Sequence, residues 1–169
     1  PAETASLAVV RAMELMQDLL PPGVVNVVTG YGQDVGAALS SHPGVAKISF
    51  TGSGRTGTMI QKAAAETMKR VTLELGGKGP GIVLPDAPIE LTARGATFGF
   101  LLGSGQICIS GTRLFVHESI HDELVARMVE LVSKLKAGSQ FDASTTLGPM
   151  AYRAHYERVL GYVESGQAE

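Results

Sequence analysis

Val71-Thr72-Leu73-Glu74-Leu75-Gly76-Gly77-Lys78 is a short alternating run stopped by two glycines. Strand geometry sends Val71, Leu73 and Leu75 to one face and Thr72 and Glu74 to the other, so 71–75 reads as a half-covered β-strand. Upstream, 45–50 is a second apolar strand, and Thr51-Gly52-Ser53-Gly54 turns it into a helix over 56–68. Further upstream, Leu7, Val10, Met13, Leu19 and Leu20 carry a helical period over 5–20, ended by Pro21-Pro22-Gly23. The β-branched run 24–28 reads as a strand broken by Gly30-Tyr31-Gly32, and 34–41 as a short helix. Helix and strand thus alternate over 5–75 with short connections, the pattern of a parallel, helix-covered α/β sheet. Downstream the alternation continues less regularly. A strand is expected at 81–84, a helix over 89–102 opened by Asp86, and a strand over 113–117. An amphipathic helix over 119–136, a polar linker over 137–150 and a last helix over 152–164 complete the chain.

The composition excludes several classes of protein. Of 169 residues, 44% are hydrophobic and 18% charged, which suits a folded core rather than a disordered tract. The net charge is −2 with scattered basic residues, so neither nucleic acid nor a membrane surface is an expected partner. No apolar run approaches the roughly 20 residues of a membrane span. The single cysteine, Cys108, has no internal disulfide partner, which points to a reducing, cytoplasmic compartment. The chain begins at Pro1 without methionine and stops soon after a helical pattern, so it reads as an internal excerpt of a longer protein.

Three segments carry chemistry. Glu74 sits at the end of a strand, where open α/β sheets bind ligands. A carboxylate there is either simply solvated or, if partly enclosed, placed to take a proton from water. Cys108 follows Gly103-Ser104-Gly105-Gln106 and precedes Ser110-Gly111-Thr112. A lone cysteine is usually a small core residue, but flexible polar segments on both sides make this one a candidate nucleophile whose own backbone N–H can help stabilise an oxyanion. Gly52-Ser53-Gly54-Arg55-Thr56-Gly57 matches G-x-G-x-x-G, a weak signal in a chain with 21 glycines. Its setting between strand and helix strengthens it, because N–H groups at a helix start hold phosphate well. His117-Glu118-Ser119-Ile120-His121 spells the zinc-hydrolase motif H-E-x-x-H. That chemistry needs both histidines on one helix face, whereas His117 ends a strand pattern and Ser119 with Asp122 reads as a capping arrangement, so no metal site is expected. His42 and His155 have no partners in the sequence pattern and read as surface residues.

Taken together and in order, these segments resemble the aldehyde dehydrogenase family. Pro1-Ala2-Glu3 resembles the stretch after the family's cofactor-binding lysine, and Phe50-Thr51-Gly52-Ser53 its pyrophosphate turn. Glu74-Leu75-Gly76-Gly77-Lys78 resembles the general-base motif, and Gly105-Gln106-Ile107-Cys108 the nucleophile motif. Pro22-Gly23-Val24-Val25-Asn26-Val27-Val28 and Leu147-Gly148-Pro149 are also similar to family sequence. The resemblance implies a Rossmann-like parallel sheet continuing into part of an α/β catalytic domain. Residues 1–76 would form the C-terminal part of the NAD(P)-binding domain and 77–169 the N-terminal part of the catalytic domain. It implies oxidation of an aldehyde through a thiohemiacetal and a thioester on Cys108, with Glu74 activating the hydrolytic water. It implies cofactor contacts from Glu3 to the adenosine ribose, Gly32 to the adenosine side, Gly52, Ser53 and Gly57 to the pyrophosphate, and the Leu75 carbonyl to the nicotinamide amide. A carboxylate at Glu3 favours NAD, with NADP as the alternative. It further implies a homodimer or homotetramer for the full-length protein.

The chain departs from the family pattern at Gly103, where asparagine is usual, at Ser110, where alanine or glycine is usual, and at Gly79 and Gly81, where serine and asparagine are more common. The family's cofactor-binding lysine, the second oxyanion donor, the ribose-holding glutamate and the oligomerisation strand fall outside the motifs present, so the chain alone is expected to be inactive. Two alternatives stand beside this reading. One is a coenzyme A-acylating enzyme, in which a thiol replaces the water that Glu74 would activate. The other is a non-catalytic dinucleotide-binding protein, against which the pairing of Glu74 with Cys108 speaks.

Overall fold

In the computed structural model, which describes residues 1–169, the same device is built twice: two parallel strands joined through a helix. The two copies lie in separate units, Pro1–Leu75 and Gly76–Glu169.

The first unit opens with a 3-10 turn, Glu3–Ala5, that runs into α1 (Ser6–Met16). The helix expected over 5–20 ends early, in a second 3-10 turn over Gln17–Leu19. Leu20 is then extended (φ −121°, ψ 142°), the conformation that a following proline imposes on its predecessor. The strand expected at 24–28 does not form. Its valines join no ladder: the sheet of this unit holds β1 and β2 alone. The segment is held instead by local bonds, Val24 N–H to the Pro21 carbonyl and the Asn26 amide to the Gly23 carbonyl. A β-branched run becomes a strand only where a ladder receives it. A π-helical turn, Gly32–Gly36, leads into α2 (Ala37–Ser41).

β1 (Lys47–Gly52) and β2 (Arg70–Leu75) then pair in parallel, with α3 (Gly54–Ala65) as the crossover. Ile48, Phe50, Val71 and Leu73 are half-buried, while the alternate residues of both strands are exposed. Helix α3 lays Gly57 and the fully buried Ala64 inward. It stops at Ala65 rather than near 68, because Met68 is left-handed (φ 55°) and Lys69 N–H turns back to the Ala64 carbonyl.

The second unit pairs β3 (Pro80–Val83) with β4 (Arg113–Val116), again in parallel. Between them run α4 (Ile89–Leu101) and a 3-10 turn, Leu102–Gly105. Helices α5 (Glu118–Ser133) and α6 (Arg153–Ala168) follow. Val83, Ala93 and Leu124 form the core, covered by Ile89, Leu114, Val116, Ile120 and Met128. The opposite sheet face is open, with Ile82 73% and Phe115 55% exposed. Helix α5 begins one residue before the expected Ser119. His117 is its cap and accepts from Ser119 N–H through Nδ1 at 3.3 Å, so the Ser119–Asp122 capping arrangement does not form. No helix is long and apolar enough to cross a membrane.

Helices α4 and α5 are also joined by charge. Arg127 on α5 reaches Glu90 on α4 (2.6 and 2.9 Å), and Glu130 links Arg127 to Lys134. Hydrogen bonds from Arg127, and next from Arg94, pull the Glu90 carboxyl down from 4.5 to about 2. A carboxylate lowered by folding contributes stability above its unfolded value, and that contribution is lost as pH falls through its folded value. The thermal midpoint should therefore fall between pH 4.5 and 2. Glu90→Gln should lower the midpoint at neutral pH and flatten that acid limb, which a series of melting curves would show.

Candidate active site

Parallel pairing sets the ends of β1 and β2 side by side. Thr51 lies opposite Glu74, and Gly52 opposite Leu75. Five of the expected site residues, Gly52, Ser53, Gly57, Glu74 and Leu75, therefore gather at one edge of the first unit. Glu74 is exposed on the face away from α3. Ser53 caps α3 by accepting from Thr56 N–H at 3.2 Å, and its Oγ lies 2.9 Å from Thr56 Oγ1. With Thr56 as donor to it, the Ser53 hydroxyl keeps its own proton for an incoming anion.

The three glycines of the turn differ in function. A β-carbon on Gly52 would strike the Phe50 ring at 2.5 Å, and one on Gly57 would meet Leu75 Cδ2 at 3.0 Å. Gly57 thus lets α3 settle on β2. Around Gly54 there is open space, so phosphate oxygens can approach the unpaired N–H groups of the helix start. The open space at Gly54 and the helix start fit a pyrophosphate.

Glu3 is placed elsewhere in the unit. It lines a cleft of about 180 Å³ with Ser6, Thr29, Gly30 and Tyr31. Gly32 follows Tyr31 directly and opens the π-helical turn, with space around it. Gly30 takes φ 152°, and a β-carbon there would strike Val35 Cγ2 at 2.5 Å.

Cys108 belongs to the second unit and is exposed. It occupies a central position of a turn closed by Ser110 N–H to the Ile107 carbonyl at 3.3 Å. The N–H groups at the centre of such a turn are not used by the turn itself. A β-carbon on Gly77 would lie 3.8 Å from the Cys108 carbonyl oxygen, and Arg113 Nε donates to the Lys78 carbonyl at 2.9 Å. Within the second unit, Gly77 and Lys78 thus run alongside the turn that carries Cys108. The register Pro80↔Arg113 is the cause, since parallel strands also align the segments that lead into them.

The sequence reading missed a second set of contacts on this loop. Ser104 Oγ donates to the Gly148 carbonyl (2.9 Å), and Gln106 Oε1 accepts from Ala151 N–H (2.9 Å). Both segments stand out in the sequence, but nothing in their spacing says that they meet. At the H-E-x-x-H stretch, His117 is non-helical (φ −60°, ψ 136°) and bonded to Ser119, while His121 Nδ1 faces Asp122 Oδ1 at 2.8 Å.

Comparison with known proteins adds to this geometry. The sequence pattern of the aldehyde dehydrogenase family matches residues 1–169. The chain is 45% identical to a hydroxyisobutyraldehyde dehydrogenase of Mycolicibacterium austroafricanum, over all of this chain and 34% of that protein. Its fold superposes on an NAD-dependent aldehyde dehydrogenase from Sinorhizobium meliloti with a TM-score of 0.93 and 44% identity, covering 96% of this chain and 33% of that one. A betaine aldehyde dehydrogenase from Staphylococcus aureus, solved in complex with NAD+, gives a TM-score of 0.89 at 37% identity over 95% of this chain and 32% of that one. The chain spans about a third of the length of the curated relatives it matches. Likeness at these scores bears out the α/β, Rossmann-like fold class.

The glycine geometry makes a direct prediction. Gly57→Leu should destabilise the protein by about 1–3 kcal/mol, because Leu73 and Leu75 already fill the space. Gly54→Ala should stay within about 0.5 kcal/mol of the parent. Urea denaturation of the two variants checks both.

Proposed function

The chain belongs to the aldehyde dehydrogenase family, and from that premise we propose that the protein carrying it oxidises an aldehyde to a carboxylic acid with NAD+ in the cytoplasm. Residues 1–76 serve as the C-terminal part of the NAD(P)-binding domain and 77–169 as the N-terminal part of the catalytic domain. The partners of the whole protein are its aldehyde substrate and further copies of itself, in a homodimer or homotetramer, with neither nucleic acid nor a membrane involved.

Within this reading, Cys108 attacks the aldehyde carbon as a thiolate and forms a thiohemiacetal. Bound NAD+ supplies the hydride acceptor. Cys108 then holds the acyl group as a thioester, and Glu74 takes a proton from water as the water attacks. The acid leaves and the thiolate is restored. The Cys108 backbone N–H donates to the oxyanion in both tetrahedral states. Ser53 and the N–H groups of the Gly52–Gly57 turn hold the pyrophosphate, and the Leu75 carbonyl accepts from the carboxamide. Gly32 borders the adenosine side. The Glu3 carboxylate accepts from ribose hydroxyls and repels a 2′-phosphate, which favours NAD over NADP. One observation supports this reading above the others: Gly77, two residues beyond Leu75, runs against the Cys108 carbonyl, with 3.8 Å to a β-carbon built there.

Two substitutions in the full-length protein test it. Cys108→Ser should lower aldehyde oxidation by at least about 10³-fold while NAD+ still binds, since a hydroxyl is far less nucleophilic than a thiolate near neutral pH. Near-native turnover would remove Cys108 from the mechanism. Glu74→Gln should give a first burst of NADH close to one equivalent per site and then stall, because an amide cannot take a proton from water. An unchanged steady-state rate in rapid-mix kinetics would exclude Glu74 as the base, and acyl transfer to added coenzyme A as the main native route would favour the acylating alternative.

A further inference from the structure

The side-chain amide of Gln106, two residues before Cys108, is engaged at both ends. Nε2 donates to the Gly103 carbonyl at 3.0 Å, and Oε1 accepts from the backbone N–H of Ala151 at 2.9 Å. Ser104 makes a parallel tie, donating from Oγ to the Gly148 carbonyl at 2.9 Å. Between them the backbone is unusual. Gly103, Ser104 and Gly105 are all left-handed, at φ 60°, 58° and 78°. Two of the three are glycines, which enter that region freely, but Ser104 does not. A non-glycine residue stays there only where its surroundings hold it. Within the turn, the Gln106 N–H to Gly103 carbonyl bond at 3.2 Å is its own backbone closure. A further restraint comes from 148–151, distant in sequence.

We propose that Gln106 is a positioning residue for Cys108: assisted by Ser104, it fastens the left-handed turn to the 148–151 segment and so sets the direction in which the thiol leaves the loop. This inference rests on the reading of Cys108 as nucleophile. An amide suits the place because one group must donate at one corner and accept at the other. A carboxylate only accepts, and a thioether of the same length only fills the space. The turn that carries Cys108 begins at Ile107, immediately after Gln106, so any drift of the Gln106 backbone moves the sulfur with it. Covalent chemistry is sensitive to such drift, since a displacement of about 1 Å at the reacting atom costs on the order of 10² in rate.

The test uses the full-length protein and three variants, Gln106→Met, Gln106→Glu and Ser104→Gly. Two readouts are independent of each other: the pH profile of Cys108 alkylation by iodoacetamide, and the rate of the NADH burst with propanal and NAD+. Gln106→Met should slow the burst by about 10²-fold, leave the KM for aldehyde nearly unchanged, and alter the alkylation profile. Gln106→Glu keeps the acceptor for Ala151 N–H and should retain more of the burst than Gln106→Met. Ser104→Gly relieves a left-handed residue while deleting the bond to Gly148. It should raise or preserve the melting temperature and still slow the burst severalfold, so a folding defect cannot mimic the effect. Wild-type alkylation and burst rates in both Gln106→Met and Ser104→Gly would overturn the proposal, and if Gln106→Met does not fold, Ser104→Gly decides alone. Should Cys108→Ser retain aldehyde oxidation, the nucleophile reading fails instead, while the alkylation profile still reports whether Gln106 orients the thiol.

Discussion

Parallel pairing is the constraint on which the rest of this molecule depends. Two strands running the same way cannot be joined by a tight turn, so each pair requires a crossover, supplied by α3 in one unit and α4 in the other. The same pairing aligns everything that enters or leaves the strands. At the C-terminal ends of β1 and β2, the register Gly52↔Leu75 sets the Gly52–Gly57 turn beside the strand that carries Glu74. At the N-terminal ends of β3 and β4, the register Pro80↔Arg113 sets the 76–79 segment beside the loop that carries Cys108. The chain passes from the first edge to the second through Gly76 and Gly77, both exposed and free of side-chain bulk.

Within the second unit, the exposure of Cys108 follows from how α4 ends. Leu102 leaves the helix (φ −53°, ψ 132°), three left-handed residues follow, and the next turn, over 107–110, carries Cys108 exposed. Ile107 remains partly buried and packs near Gly103, where a β-carbon would meet its side chain at 3.4 Å. Ser110 returns to the interior at 2% exposure. Cys108 lies between these two anchors. The thiol is thus held at the crest of a short, anchored turn, accessible without being on a loose loop.

Much of this was legible in the sequence because periodicity and glycine placement are local. The crossover helices, the strands over 47–52, 70–75 and 113–116, and the turn at Gly52–Gly57 all fall close to where alternation and breakers put them. The failures have two causes. The valine run at 24–28 looks like a strand by composition, but a strand exists only with a partner, and pairing is not a property of one segment. The cap of α5 went to His117 rather than Ser119 because an imidazole nitrogen served as acceptor, a case that cap statistics hardly weigh. The ties from Ser104 and Gln106 to 148–151 were invisible for the first of these reasons, since each segment was conspicuous and their meeting was not.

The departures from the family pattern also become intelligible once the backbone is known. Gly103 stands where asparagine is usual, and at φ 60° these are the two residues that adopt the left-handed region most readily. Gly81 stands where asparagine is more common, and here a β-carbon would come within 2.8 Å of Leu114 Cδ1. That methyl is the far end of a flexible side chain, so a residue larger than glycine at 81 requires Leu114 to shift. Gly79 meets nothing within 4 Å, so packing places no demand on it. Ser110 is the costly exception, because its buried hydroxyl has no hydrogen-bond partner within the chain. Leaving such a group unpaired costs about 1–3 kcal/mol, and an alanine or glycine there would avoid it. Position 110 is buried, and serine brings a hydroxyl there that nothing in the chain satisfies.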